Sequence, residues 1–108
     1  MVSTVGHKLS PEHKALYRRV NEVLHYVWDP IGVAGTPEAR DEYDSYVPHV
    51  FSMLIHDASS AEIAQFLVTT ETEAMGLSRS KRAKERADEV AQILERWRDY
   101  IRERPPTI

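Results

Sequence analysis

The sequence predicts an all-α protein, a compact bundle of four main helices joined by short connectors. Three observations carry this: apolar stripes recur at helical spacing, each stripe is bounded by a cap or a breaker, and no run alternates β-branched with polar residues as a strand would. The helices are expected near residues 11–28, 42–56, 60–75 and 79–103.

Ser10-Pro11-Glu12 reads as a cap, a proline at the first helical position and a first-turn acid. Behind it Leu16, Val20, Val23, Leu24 and Val27 fall on one helical face. Pro30 disfavours helical geometry at Asp29 and should end the helix there. Pro30 to Gly35 is a connector, and Thr36-Pro37-Glu38 repeats the cap, proline, acid pattern for a short turn. The second helix shows Tyr43, Val47, Val50 and Leu54 on its apolar face, widened by Tyr46, Phe51 and Met53. Pro48 leaves two alternatives, a helix that begins near Val47 or one that kinks there.

Ser59-Ser60-Ala61-Glu62 is a capping box ahead of Ile63, Phe66, Leu67, Thr70 and Ala74, and Gly76 stops that helix with Leu77 behind it. The last helix begins near Ser78 or Ser80 and ends before Pro105-Pro106. Ala83, Ala87, Val90, Leu94, Trp97 and Ile101 follow in steps of four and three, so Trp97, like Trp28, is expected to be mostly buried.

The 108 residues suit one helical domain over residues 10–104, with a flexible N-terminal tail at 1–9 and a C-terminal tail at 105–108. The absence of cysteine excludes disulfides and thiolate metal sites. No signal-like h-region opens the chain and no apolar run approaches the ~20 residues of a membrane span, so a cytoplasmic, bacterial protein is expected. A net charge of −3 gives no global pull toward nucleic acid or anionic lipid.

Few residues point to chemistry. Glu22 and His25 match the Glu-x-x-His signature of di-iron bundles, but no second copy exists, and helical geometry turns both away from the apolar stripe toward water. His49 and His56 share a face rotated off the core, and with His7 and His13 are expected to be solvated. No nucleophile elbow, phosphate loop or dinucleotide fingerprint is present. No cofactor and no metal site are expected. The run Arg79, Lys81, Arg82, Lys84, Arg86 contains no aromatic residue, so nucleic-acid binding is not expected, and solubility or pairing with the acidic cluster suits it better. The four-three seam of the last helix is short of a coiled coil and contains two alanines, which favours a monomer over a homodimer.

Three segments, Trp28-Asp29-Pro30-Ile31-Gly32, then Asp41-Glu42-Tyr43-Asp44 with Tyr46, then Glu71 to Leu77, together resemble small standalone bacterial helical proteins of unknown function. The resemblance covers roughly residues 16–77 and implies a helical fold and a bacterial cytosolic origin, with no activity to carry over. The residues themselves point to a non-enzymatic interaction protein, immunity- or antitoxin-like, binding a protein partner through the acids Asp29, Asp41, Glu42 and Asp44. A carboxylate-based metal-dependent enzyme, or a nucleic-acid binder through residues 79–86, are the alternatives.

Overall fold

Three of the four helices begin where a serine side chain receives an unsatisfied amide, and the remaining one, which starts at Val47, has no side-chain cap. In the computed structural model, which describes residues 9–104, Ser10 is extended and its Oγ accepts the His13 amide at 3.1 Å, opening helix α1 (Pro11–Val23). Leu9 packs against the core, while the rest of the expected N-terminal tail and the tail at 105–108 lie outside the described residues.

Helix α1 runs into a π turn (Leu24–Trp28), closed by the Asp29 amide on Leu24 O at 3.1 Å. This wider turn moves every later side chain backwards around the axis. It brings Trp28 from the edge of the apolar stripe into the core, where it is fully buried. The same rotation corrects two expectations. Val27, placed in the stripe by α-helical spacing, is 46% exposed, and His25, placed in water, is only 2% exposed. Glu22 lies before the π turn, remains on the partly exposed side and pairs with Arg19.

Asp29 then takes a left-handed conformation (φ 32°) and ends the helix. The connector that follows contains two 3-10 turns (Pro37–Ala39 and Asp44–Tyr46) and leads into α2 (Val47–Ile55). Pro48 sits in the first turn of α2, where its missing amide has no intrahelical partner to lose. The helix therefore begins at Val47 rather than at 42, and it has no proline kink.

The predicted capping box opens α3 (Ser60–Thr69). Ser59 Oγ accepts the Glu62 amide at 3.1 Å and the Glu62 carboxylate accepts the Ser59 amide at 2.8 Å. A second π turn (Thr70–Ala74) follows, and Gly76 at φ +69° reverses the chain. The Leu77 amide reaches back to Glu71 O at 2.8 Å, one residue further than an ordinary Schellman closure, because the π turn adds one. It also changes the phase: Ala74, expected on the apolar face, is exposed, and Glu71 is buried.

Helix α4 (Lys81–Glu103) is capped by Ser80 Oγ on the Ala83 amide at 3.0 Å. Ala83, Ala87, Val90, Leu94 and Ile101 face inward as predicted, and α4 packs along α3 and α1. Trp97 departs from prediction, being only partly buried at the edge of the core. Arg98, at 8% exposure, lies inward instead. Its guanidinium and that of Arg102 approach the last carbonyls of α2, Leu54 O and Ile55 O, each at 3.5 Å, and both pair with Asp57. Cations at a helix C-terminus are favoured by its dipole. No strand occurs among the described residues, and the four helices form the expected all-α bundle, with a radius of gyration of 14.0 Å, close to the ~13 Å usual for about 100 residues.

Candidate interaction site

The acidic loop is built outward from Trp28. Its indole N–H donates to the Glu71 carboxylate at 2.7 Å, joining the π turns at the ends of α1 and α3 inside the core. A carboxylate at 3% exposure is tolerable only with such a partner. Tyr43, 2% exposed, lies across Trp28 with ring centroids 5.4 Å apart. Its hydroxyl donates to Asp29 Oδ1 at 2.7 Å and accepts the Ile31 amide at 3.2 Å.

Asp29 gathers the connector around itself. Oδ1 also accepts the Val33 amide at 2.7 Å, and Oδ2 accepts the Ala34 amide at 3.0 Å. Burial alone would raise its carboxyl pKa. The Tyr43 hydroxyl, the two amides and the neighbouring His25 outweigh that and hold it below the ordinary value. Burial first, then the bond to Asp29, pushes the Tyr43 phenol up. Four hydrogen bonds thus tie Asp29, Tyr43 and the residues just after Asp29 to one another, and a loop rich in small residues becomes a platform.

On that platform Asp41, Glu42 and Asp44 are all exposed. Among the described residues no Lys or Arg nitrogen comes within 4.0 Å of any of them, and Asp44 accepts one bond from Asn21 Nδ2 at 3.3 Å. Asp29 is separated from these three in role, because its oxygens are engaged with the loop. Nearby Tyr26, Val27 and Ile31 are 57%, 46% and 42% exposed. Tyr26 carries the Arg40 guanidinium over its ring at 5.3 Å, which links the apolar residues to the acidic segment.

Helical spacing missed the exposure of Val27, because the π turn that changes its phase has no local sequence signal. The inward placement of Glu71 did leave a signal: a carboxylate four residues after Leu67, on a stripe that is otherwise apolar.

The remaining candidates are dispersed. His25 lies against Tyr26 and Tyr43, with ring centroids 4.4 and 6.4 Å away, and its buried Nδ1 has no hydrogen-bond partner among the described residues. Asn21 Oδ1, one turn earlier, is in the same condition. His49 is exposed and stacks on Phe66 at 4.2 Å, and His56 bonds Ser52 O, so the two point to separate neighbours. Among the described residues no three His, Asp or Glu side chains stand close enough together to hold a metal ion. No helix there is long and apolar enough to cross a membrane. In the basic run, Lys84 pairs with Asp88 on its own helix at 3.8 Å, and none of its residues pairs with the acidic loop. The chain matches no family model, no curated protein and no solved structure.

Proposed function

We propose that this is a non-enzymatic interaction protein that sequesters a protein partner, as immunity proteins and antitoxins do, and that the partner docks on the loop carrying Asp41, Glu42 and Asp44. The observation that carries this reading is a set of three exposed carboxylates with no Lys or Arg nitrogen within 4.0 Å among the described residues, on a segment joined through Arg40 to the exposed Tyr26. An exposed aromatic residue with an arginine over its ring is a pairing that protein interfaces favour. The acids select a basic partner surface and steer its approach. Asp29 belongs to the same site as the residue that holds the platform in shape.

The experiment is a pull-down with the wild type and with Asp41→Asn/Asp44→Asn from a lysate of the cells that make the protein, followed by association kinetics with whatever the wild type retains. A partner recovered only by the wild type, with an on-rate lowered about tenfold in the variant and a flatter salt dependence, supports the reading. Equal recovery with equal kinetics removes the acids from the interface. A melt lowered by many degrees in the variant assigns them to the fold.

A further inference from the structure

Helix α4 has two stripes, one buried in the core and one only partly covered inside the molecule. The core stripe is the seam visible in the sequence. Beside it, roughly a quarter-turn around the helix, Arg86, Glu89, Ile93, Trp97, Tyr100 and Arg104 follow one another in steps of three and four, so they too align along one face, with Ile93 and Trp97 at its border with the core. Three of them are apolar or aromatic. Tyr100 is 51% exposed, Trp97 and Ile93 are partly exposed, and with Arg96 they line an open depression of about 340 Å³.

The aromatic pair is held in place. The rings meet edge to face at 5.9 Å, Arg19 of α1 lies over the Trp97 ring at 5.0 Å, and Arg104 lies over Tyr100 at 5.5 Å. Arg19 is itself fixed by its ion pair with Glu22. Rigid Trp, Tyr and Arg side chains around a depression are what the energetic centres of interfaces consist of.

We infer that this face of α4 is the contact of a homodimer, in which α4 pairs antiparallel with α4 of a second copy. The charge order along the stripe selects a second copy as the occupant. The midpoint between Glu89 and Arg104 falls between Arg96 and Trp97. An antiparallel twofold pairing about that point sets Glu89 opposite Arg104 of the partner subunit, and Arg104 opposite Glu89 of the partner subunit. It brings Ile93 against Tyr100 of the partner subunit and the two Trp97 side chains together at the axis. A parallel pairing in register would set Glu89 on Glu89 and Arg104 on Arg104 instead. The contact is isologous, so it closes as a dimer and leaves no free edge for further growth.

This proposal replaces the expectation of a monomer, which was drawn from the core seam alone. It does not rest on the proposed function, whose residues lie on the connector.

Sedimentation at micromolar concentration tests it, with the wild type, Tyr100→Glu, Glu89→Arg, Arg104→Glu and the double charge exchange Glu89→Arg/Arg104→Glu. The wild type is expected at twice the 12.4 kDa of one chain. Each single variant should weaken the dimer about tenfold or more, and the double exchange should restore it. Melts of the variants check folding, and the exchange keeps the test decisive even if Tyr100→Glu is destabilised. A wild type that sediments as a monomer overturns the proposal. A dimer indifferent to Tyr100→Glu and to both charge reversals overturns it as well, by placing the interface elsewhere.

Discussion

Tyr43 and Trp28 each perform two tasks, filling the core with a ring and organising polar groups with the hydrogen-bonding end. Removing the polar end alone separates the two. Tyr43→Phe keeps the ring but leaves the Ile31 amide and Asp29 without the hydroxyl, at an expected cost of ~1–3 kcal/mol. Denaturant titration gives that cost, and hydrogen exchange should quicken at the amides of Ile31, Val33 and Ala34. Trp28→Phe leaves the buried Glu71 side chain with no indole donor and should cost at least ~1–3 kcal/mol, the penalty of an unsatisfied buried polar group. Glu71→Gln retains an acceptor for the indole and should cost ~1 kcal/mol. If the two midpoints moved equally, the Trp28–Glu71 bond would not be what holds these π turns together.

The acids at this scale also set a pH dependence. The Asp29 carboxyl is held below its ordinary value, and Asp57 likewise, by the Arg102 hydrogen bond and charge and then by Arg98 and His56. A depressed folded pKa means the unfolded chain binds the proton more tightly. The stabilisation from both is therefore complete above the unfolded value of about 3.9, and is lost as pH falls through the lower folded values. The melting midpoint should hold level from neutrality to about pH 5 and then fall. Asp29→Asn should flatten that fall while lowering the plateau. An unchanged acid limb in the variant would show that Asp29 carries none of it.

At the scale of the element, the π turns decide which residues reach the core. Val27 and Val23 offer a direct comparison, because α-helical spacing would place them on the same face. Val23 is 5% exposed and Val27 46%. Val27→Ser should shift the denaturation free energy by no more than about 0.5 kcal/mol, the range of ordinary surface changes. Val23→Ala should cost ~1–3 kcal/mol through the lost burial and the space left behind. Comparable costs at the two positions would restore an uninterrupted α-helix through Trp28. The stop of α3 has a different basis. A Cβ on Gly76 meets nothing within 4 Å, so Gly76→Ala pays only for left-handed backbone, ~1–2 kcal/mol.

At the scale of the whole molecule, α4 is the organising element. One face closes the core against α1 and α3, Arg98 and Arg102 hold the end of α2, and the stripe through Tyr100 is the proposed dimer contact. Arg102→Ala should loosen the α2–α4 junction and raise the Asp57 carboxyl toward its ordinary value, visible as a titration shift in carboxyl NMR. The proposed dimer has a thermodynamic signature of its own. If association stabilises the fold, the wild-type melt should depend on concentration and that of Tyr100→Glu should not.

Local chemistry alone sufficed for the number of helices and for the serine caps of three of them. Ser10, Ser59 and Ser80 each receive an amide three residues on, and Gly76 and the Asp29-Pro30 pair end helices through backbone constraints that neighbours in sequence impose. The inward stripe of α4 was legible apart from Trp97 for the same reason, since an uninterrupted helix keeps one phase. The π turns, the inward Arg98 and the outward Val27 were decided only by tertiary structure. Trp28 finds its hydrogen-bond partner 43 residues away, and Arg98 reaches a carbonyl 44 residues away. The candidate site divides along the same line. The acids of the connector could be read directly, whereas Asp29's place beneath the loop depends on a Tyr43 hydroxyl that packing of the core, and not spacing along the chain, brings to it.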